Sequence, residues 1–239
     1  MRVGVGRLLN RVLIRGFGTA NFQRRIEWNK MLDWSGLTDR DSLLEVACGD
    51  CGLLNRTSKL AGPAIGIDIS RASLEKGGTL AKESCLLSDA NIMPFRDECF
   101  DKILCSSSFE FLDASLALGE MRRVLKRGGS IVLTADSNTF PLPPGLGRKY
   151  RTLNKNAERF FTSVSLRETF QVAGLLPVRV QYLSTSRVSD FFMRLGIMLR
   201  WKGYLWMVLS VAAYYPSLIA DFIAGSSKRG HGLIIQAKK

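Results

Sequence analysis

Short apolar runs alternate with stretches of helical period through the middle of this chain. Ser42–Ala47, Pro63–Asp68, Ser84–Ser88, Phe100–Cys105 and Gly129–Ala135 read as buried strands. The clearest helix between them falls at 113–127, where Ala117, Met121, Val124 and Leu125 share one face while Glu120, Arg122, Arg123 and Lys126 take the other. Gly128-Gly129 reads as its stop. Such alternation predicts a parallel sheet joined by right-handed crossovers. After a loop rich in proline and glycine (141–147), a second helix is expected at 163–173, with Leu166, Phe170 and Ala173 inward and Ser165 and Glu168 at capping-box spacing. Strands near 176–183 and 231–237 complete the sheet.

The pattern changes on either side of this core. Residues 1–36 read as a basic amphipathic N-terminal segment, with arginines interleaved among apolar residues and no acid before Glu27. The lack of serine before Ser35 argues against a cleaved transit peptide, and the lack of a long apolar run argues against a secretory signal. Residues 37–239 read as one domain, with an apolar helical insertion at 187–228. Within it, Gly203 to Ala220 carries no charge and as helix would measure about 27 Å, against roughly 30 Å for a bilayer core. A single crossing would separate strand 231–237 from its sheet. A helical pair or an interfacial element is therefore expected, with Pro216 as a break, and helices that merely cover one end of the sheet are the alternative.

Charge sharpens this division. The net +13 splits into +6 over residues 1–30, −4 over 31–140 and +11 over 141–239. Basic flanks around an acidic core point to an anionic partner, either a membrane surface or nucleic acid, with solubility as the simpler explanation. Few aromatic residues interleave with the basic ones outside the insertion, which argues against nucleic acid. The 5 cysteines, an odd number in the first half of the chain, suit reduced thiols and a cytoplasmic location. Cys48 and Cys51 form a C-x-x-C, but with 1 histidine in the chain a zinc set would need Cys85, Cys99 or Cys105 to converge on them. The pair lies in a loop that already has a ligand-binding explanation, so no metal site is expected.

That loop, Ala47-Cys48-Gly49-Asp50-Cys51-Gly52, follows a strand ending at Glu45-Val46 and fits a loosened nucleotide-binding glycine pattern. Asp68, 23 residues past Glu45 at the end of the second strand, is placed to accept both hydrogen bonds of a ribose diol. Glu45 separates two cofactors: an acid sits poorly beside a pyrophosphate, but it suits a molecule that carries an amino group and a sulfonium.

With these residues the chain resembles the class I S-adenosylmethionine-dependent methyltransferases of the broad type 11 kind. Glu45-Val46-Ala47-Cys48-Gly49-Asp50-Cys51 is similar to the family's acid-x-Gly-x-Gly-x-Gly motif, with Ala47 and Cys51 in place of two glycines. Ala64–Ser70, Asp89-Ala90 with Met93-Pro94-Phe95, and Arg123–Gly129 resemble its later motifs in the same order. The resemblance implies a doubly wound, seven-stranded Rossmann-like α/β sheet with an antiparallel last strand. It also implies a cofactor site of Glu45, Ala47, Cys48, Gly49, Cys51, Asp68, Ile69, Asp89, Ala90, Cys105 and Ser106, and an acceptor pocket built from the N-terminal segment and the late insertions. As those segments are basic and apolar, the expected reaction is methyl transfer to a lipophilic small-molecule or lipid-linked acceptor, with the protein peripheral to an anionic membrane. An RNA or protein methyltransferase and an inactive cofactor-binding scaffold are the alternatives, and the oligomeric state is left open. Displacement at a sulfonium mainly demands alignment at about 3–3.5 Å. His231, Glu110, Tyr150, Tyr214 and Tyr215 are therefore comparable candidates for a base, with none assigned.

Overall fold

A computed structural model describes residues 21–77, 79, 83–139, 145–146, 160–198, 204–224 and 228–239. In chain order they form α1 (Phe22–Ser35), β1 (Leu43–Val46), α2 (Leu54–Thr57), β2 (Ala64–Asp68), α3 (Arg71–Leu74), β3 (Cys85–Leu87), β4 (Phe100–Cys105) and α4 (Ala114–Val124). There follow β5 (Leu125–Asp136), α5 (Ser163–Val172), β6 (Leu176–Leu183), α6 (Arg187–Met198), α7 (Tyr204–Ala224) and β7 (Gly232–Lys238). The strands build one sheet in the order β3-β2-β1-β4-β5-β7-β6, parallel from β3 to β5, with β7 antiparallel to both β5 and β6. This is the expected doubly wound sheet with its antiparallel last strand.

The two-residue period of the strands sorts their side chains onto two faces. Leu43, Leu104, Val132 and Ile234 point to one face, where they pack with Trp28, Met31 and Trp34 of α1. Their neighbours Leu44, Ile103, Cys105, Ile131, Leu133, Leu233 and Ile235 point to the other, against Ala117, Leu118 and Met121 of α4 and Leu166 and Phe170 of α5. Helix α1 lies within the stretch expected to be a basic amphipathic segment, yet its aromatic residues pack on the middle of one face of the sheet. Residues 1–20 of that stretch, and Tyr150, lie outside the described residues.

Three expectations about elements change. Helix α4 starts on Asp113, which accepts from the amides of Ser115 and Leu116, but it ends at Val124. Residues 125–127 enter β5, whose register with β4 jumps from Phe100↔Leu125 to Lys102↔Ser130, and Gly128, at φ 76°, turns inside the strand. The capping box of α5 joins Thr162 to Ser165 rather than Ser165 to Glu168, because the chain enters the helix from an extended Thr162. Pro216 does not break the insertion: α7 runs through it, its buried Ala213, Tyr214 and Ser217 holding the helix against the domain.

The insertion between β6 and β7 is a helical pair that closes back on α1. Phe192, Leu209, Ala213 and Tyr214 pack with Phe22 and Ile26. The Arg25 guanidinium stacks 3.9 Å from the Tyr214 ring, and Asn29 Nδ2 donates to Tyr214 Oη at 2.7 Å. Asp221 ties the far end of α7 to the start of α6 by accepting from Ser186 N (2.8 Å) and Ser189 Oγ (2.9 Å). Among the described residues no helix is long and apolar enough to cross a membrane.

Candidate active site

The carboxyl ends of β1, β2 and β4 open onto a cleft, as expected where an open parallel sheet reverses its strand order. A 260 Å³ cavity there is lined by Glu45, Ala47, Cys48, Gly49, Asp68 and Ser106, together with Arg24 and Trp28 from α1. A 140 Å³ cavity continues past Asp68 and is lined by Ile69, Asp89, Ala90, Asn91 and Phe111. Nine of the eleven expected cofactor residues thus line one continuous cleft. Cys51 and Cys105 are buried and turn away from it, Cys51 into a cluster with Cys48 and Leu54 and Cys105 into the main core.

The loop after β1 is shaped by its backbone. Ala47, Gly49 and Cys51 all adopt left-handed φ, at 56°, 56° and 60°, so the three glycine positions of the resembled motif are the three that demand this conformation. Each non-glycine residue held there costs about 1–2 kcal/mol. One carboxylate locks the arrangement. Asp68 accepts from Gly49 N through Oδ2 and from Ser70 N through Oδ1, both at 2.8 Å, leaving lone pairs on both oxygens for a diol.

Glu45 is buried, and its Oε2 has no hydrogen-bond partner among the described residues. Burial pushes its carboxyl well above the usual carboxylate range, helped by the nearby Cys85 and Asp50, while Arg24 opposes the shift. A cationic amine beside it would restore the ionised form. Beyond Gly49 lies open space, with nothing within 4 Å of where a side chain would begin. An orphaned acid and an open backbone bend fit a nucleoside cofactor that carries an ammonium group.

A larger cavity of 510 Å³ adjoins this cleft across Arg24 and the Ser106–Ser108 turn. Ile26, Glu27, Glu110, Thr134, Asp136, Leu183, Met193 and His231 are among its lining residues. Glu27 organises the border between the two spaces: its carboxylate accepts from Ser106 Oγ and Ser107 Oγ, each at 2.7 Å, and from Thr134 Oγ1. Trp28 Nε1 donates to Ser106 Oγ at 2.9 Å, so two successive residues of α1 fix the turn after β4. Burial and the charge of Asp136 raise the Glu110 carboxyl well above its usual range. His231 is pushed down to about 4 by burial, although its Nε2 stands 3.7 Å from Asp190 Oδ1.

The structure thus brings His231 and Glu110 together at one cavity, while Tyr214 is taken up by Arg25 and Asn29 and Tyr215 is exposed. Glu27, Trp28, Asn91 and Thr134 also line these spaces and are not among the expected residues. Glu27 did leave a signal, as the first acid after a long basic stretch.

Residues 44–133 match a family model described as a methyltransferase domain. Among curated relatives, a protein of Staphylococcus aureus (strain JH9) named demethylmenaquinone methyltransferase is 30% identical, over 67% of this chain and 79% of its own length. Two solved structures share the fold. A methyltransferase of Bacillus halodurans C-125 superposes with a TM-score of 0.64 at 16% identity, covering 89% of this chain and 98% of its own. A geranyl diphosphate C-methyltransferase of Streptomyces coelicolor A3(2), solved with S-adenosyl-L-homocysteine, gives 0.64 at 16% identity over 89% of this chain and 76% of its own.

Proposed function

The chain belongs to the class I S-adenosylmethionine-dependent methyltransferases, and from that premise we propose that it methylates a lipophilic small-molecule or lipid-linked acceptor at a membrane surface. The observation that carries this reading is the position of the 510 Å³ cavity, which opens beside the cofactor cleft and is walled in part by Met193 of α6. The helical pair that includes α6 exposes Phe191, Tyr215, Ile219, Phe222 and Ile223, an apolar surface in a basic part of the chain. The relative named for demethylmenaquinone supports an acceptor of this kind.

S-adenosylmethionine supplies a methyl group on a sulfonium, already activated for displacement. In this reading Glu45 faces the cofactor's amino group, Asp68 its ribose, Asp89 and Ala90 its adenine, with Ala47, Cys48 and Gly49 forming the floor and Ile69 the rim. Ser106, fixed by Trp28 and Glu27, stands where donor and acceptor spaces meet and shapes the approach. Cys51 and Cys105 act from behind, through packing. Glu110, its carboxyl raised by burial and by the nearby Asp136, and Asp136 itself line the acceptor cavity and are the groups placed to receive a proton from an acceptor hydroxyl. The five free thiols support a reducing, cytoplasmic-side location.

Co-sedimentation with vesicles containing anionic lipid tests the membrane half of the proposal. The wild-type chain is expected to pellet with them, and the double variant Phe222→Glu, Ile223→Glu to stay in solution. Failure of the wild type to bind would refute the surface reading and leave the methyltransferase assignment standing.

A further inference from the structure

Cys85 does converge on the C-x-x-C, contrary to the expectation of no metal-type set. The sulfurs of Cys48, Cys51 and Cys85 all lie within 4.8 Å of one another, Cys51 and Cys85 at 3.0 Å and Cys48 and Cys85 at 3.9 Å. Three thiols could pack together simply as small apolar groups. Two features go beyond that. The sulfurs of Cys48 and Cys85 occupy a hollow over Gly66 in β2, where a Cβ would meet them at 2.7 Å and 3.1 Å. The 3.9 Å between Cys48 and Cys85 also suits a shared ion, since sulfurs held on one zinc at about 2.3 Å lie roughly 3.8 Å apart, and Cys51, at 3.0 Å from Cys85, would move outward on binding.

We propose that Cys48, Cys51 and Cys85 form a three-thiolate site for a thiophilic cation of the Cu⁺ or Zn²⁺ class beneath the cofactor loop, sharing Cys48 with the wall of the cleft. Each thiol releases its proton to solvent as its sulfur takes the ion, and no oxidant or reductant is needed. Soft sulfur ligands select such ions over magnesium or calcium. Cys48 and Cys51 are buried, whereas Cys85 is half-buried on β3, the edge strand, which gives an ion a route in from solvent. The bound ion would clip the left-handed turn at Cys51 to that edge strand, replacing by coordination the conformational ease that glycine would have given.

The test uses the full chain, reduced and stripped of metal with a chelator, in two anaerobic titrations: Zn²⁺ alone, and Cu⁺ delivered from a chromophoric chelator. The expected result in at least one arm is one ion per chain, with alkylation mapping by mass spectrometry showing Cys85 reactive in the stripped protein and protected once loaded, and Cys99 reactive in both. The tighter arm identifies the cation. Cys85→Ser and Cys51→Gly are each expected to weaken binding by about 100-fold or more, while Cys99→Ser leaves it unchanged. Cys51→Gly suits the fold because the residue's φ of 60° favours glycine. Absence of stoichiometric uptake in both arms, protection of other thiols, or uptake that survives Cys51→Gly would overturn the site.

Discussion

The two ends of the cleft are built by different means. At the end proposed to hold the cofactor, a contiguous loop bends through three left-handed residues, and one carboxylate, Asp68, ties that loop to the start of the next turn. At the other end, Glu27 from α1, Thr134 and Asp136 from β5, Met193 from α6 and His231 before β7 meet only because the chain crosses over itself. The first end depends on backbone shape, the second on side chains gathered from afar. Substitutions should therefore disturb the two ends in different observables, stability at the gathered end and ligand affinity at the loop.

The largest effect is expected at Glu27. In Glu27→Ala, the hydroxyls of Ser106, Ser107 and Thr134 lose a common buried acceptor, which should cost about 4 kcal/mol of unfolding free energy, read by denaturant titration. Cofactor affinity, measured by calorimetry, should change only a few-fold. A loss of affinity as large as that of an Asp68 variant would show that the ends are not separable.

Next comes pH at the gathered end. His231, held near 4 when folded, takes up its proton later than in the unfolded chain, so the unfolded state binds more protons between pH 6.5 and 4. Stability should be level above pH 6.5 and fall as pH drops through that window, by at most about 3 kcal/mol. Unfolding curves at pH 7 and pH 4.5 check this, and His231→Gln should remove most of the difference that wild type shows there.

At the cofactor end, Asp68→Ala should weaken S-adenosylmethionine binding by about 100-fold, through loss of the carboxylate and release of the amides it holds. The smallest effect belongs to Ala47→Gly, which relieves a left-handed alanine and should raise stability by about 0.5–1 kcal/mol after the added freedom of the unfolded chain is set against it. A destabilised Ala47→Gly would mean that the loop is held by contacts and not by backbone preference.

The same contrast explains what could be read from the chain alone. The strands, their parallel order and the acids at their ends are local patterns, and Glu45, Asp68 and Asp89 stood out because each ends a strand or follows one closely. Cys51 and Cys105 belong to the expected site by motif position, yet both turn inward: Cys105 lies on the face of β4 that packs into the main core, and Cys51 packs from its turn against Cys48 and Leu54. Glu27 and Thr134 are separated by more than a hundred residues, and nothing in either neighbourhood announces the other. The convergence of Cys85 on the C-x-x-C is likewise a product of strand order, since β3 reaches the loop only through its pairing with β2.

The most direct test of the central claim is to incubate the protein with total cell lipid, RNA and protein fractions in parallel, with S-adenosylmethionine carrying a deuterated methyl group, and to follow the label by mass spectrometry. Methyl transfer to a lipophilic acceptor predicts one lipid-soluble species that gains a single labelled methyl group, lost in Asp68→Ala. Label confined to the RNA or protein fraction, or bound cofactor without label in any fraction, would contradict it.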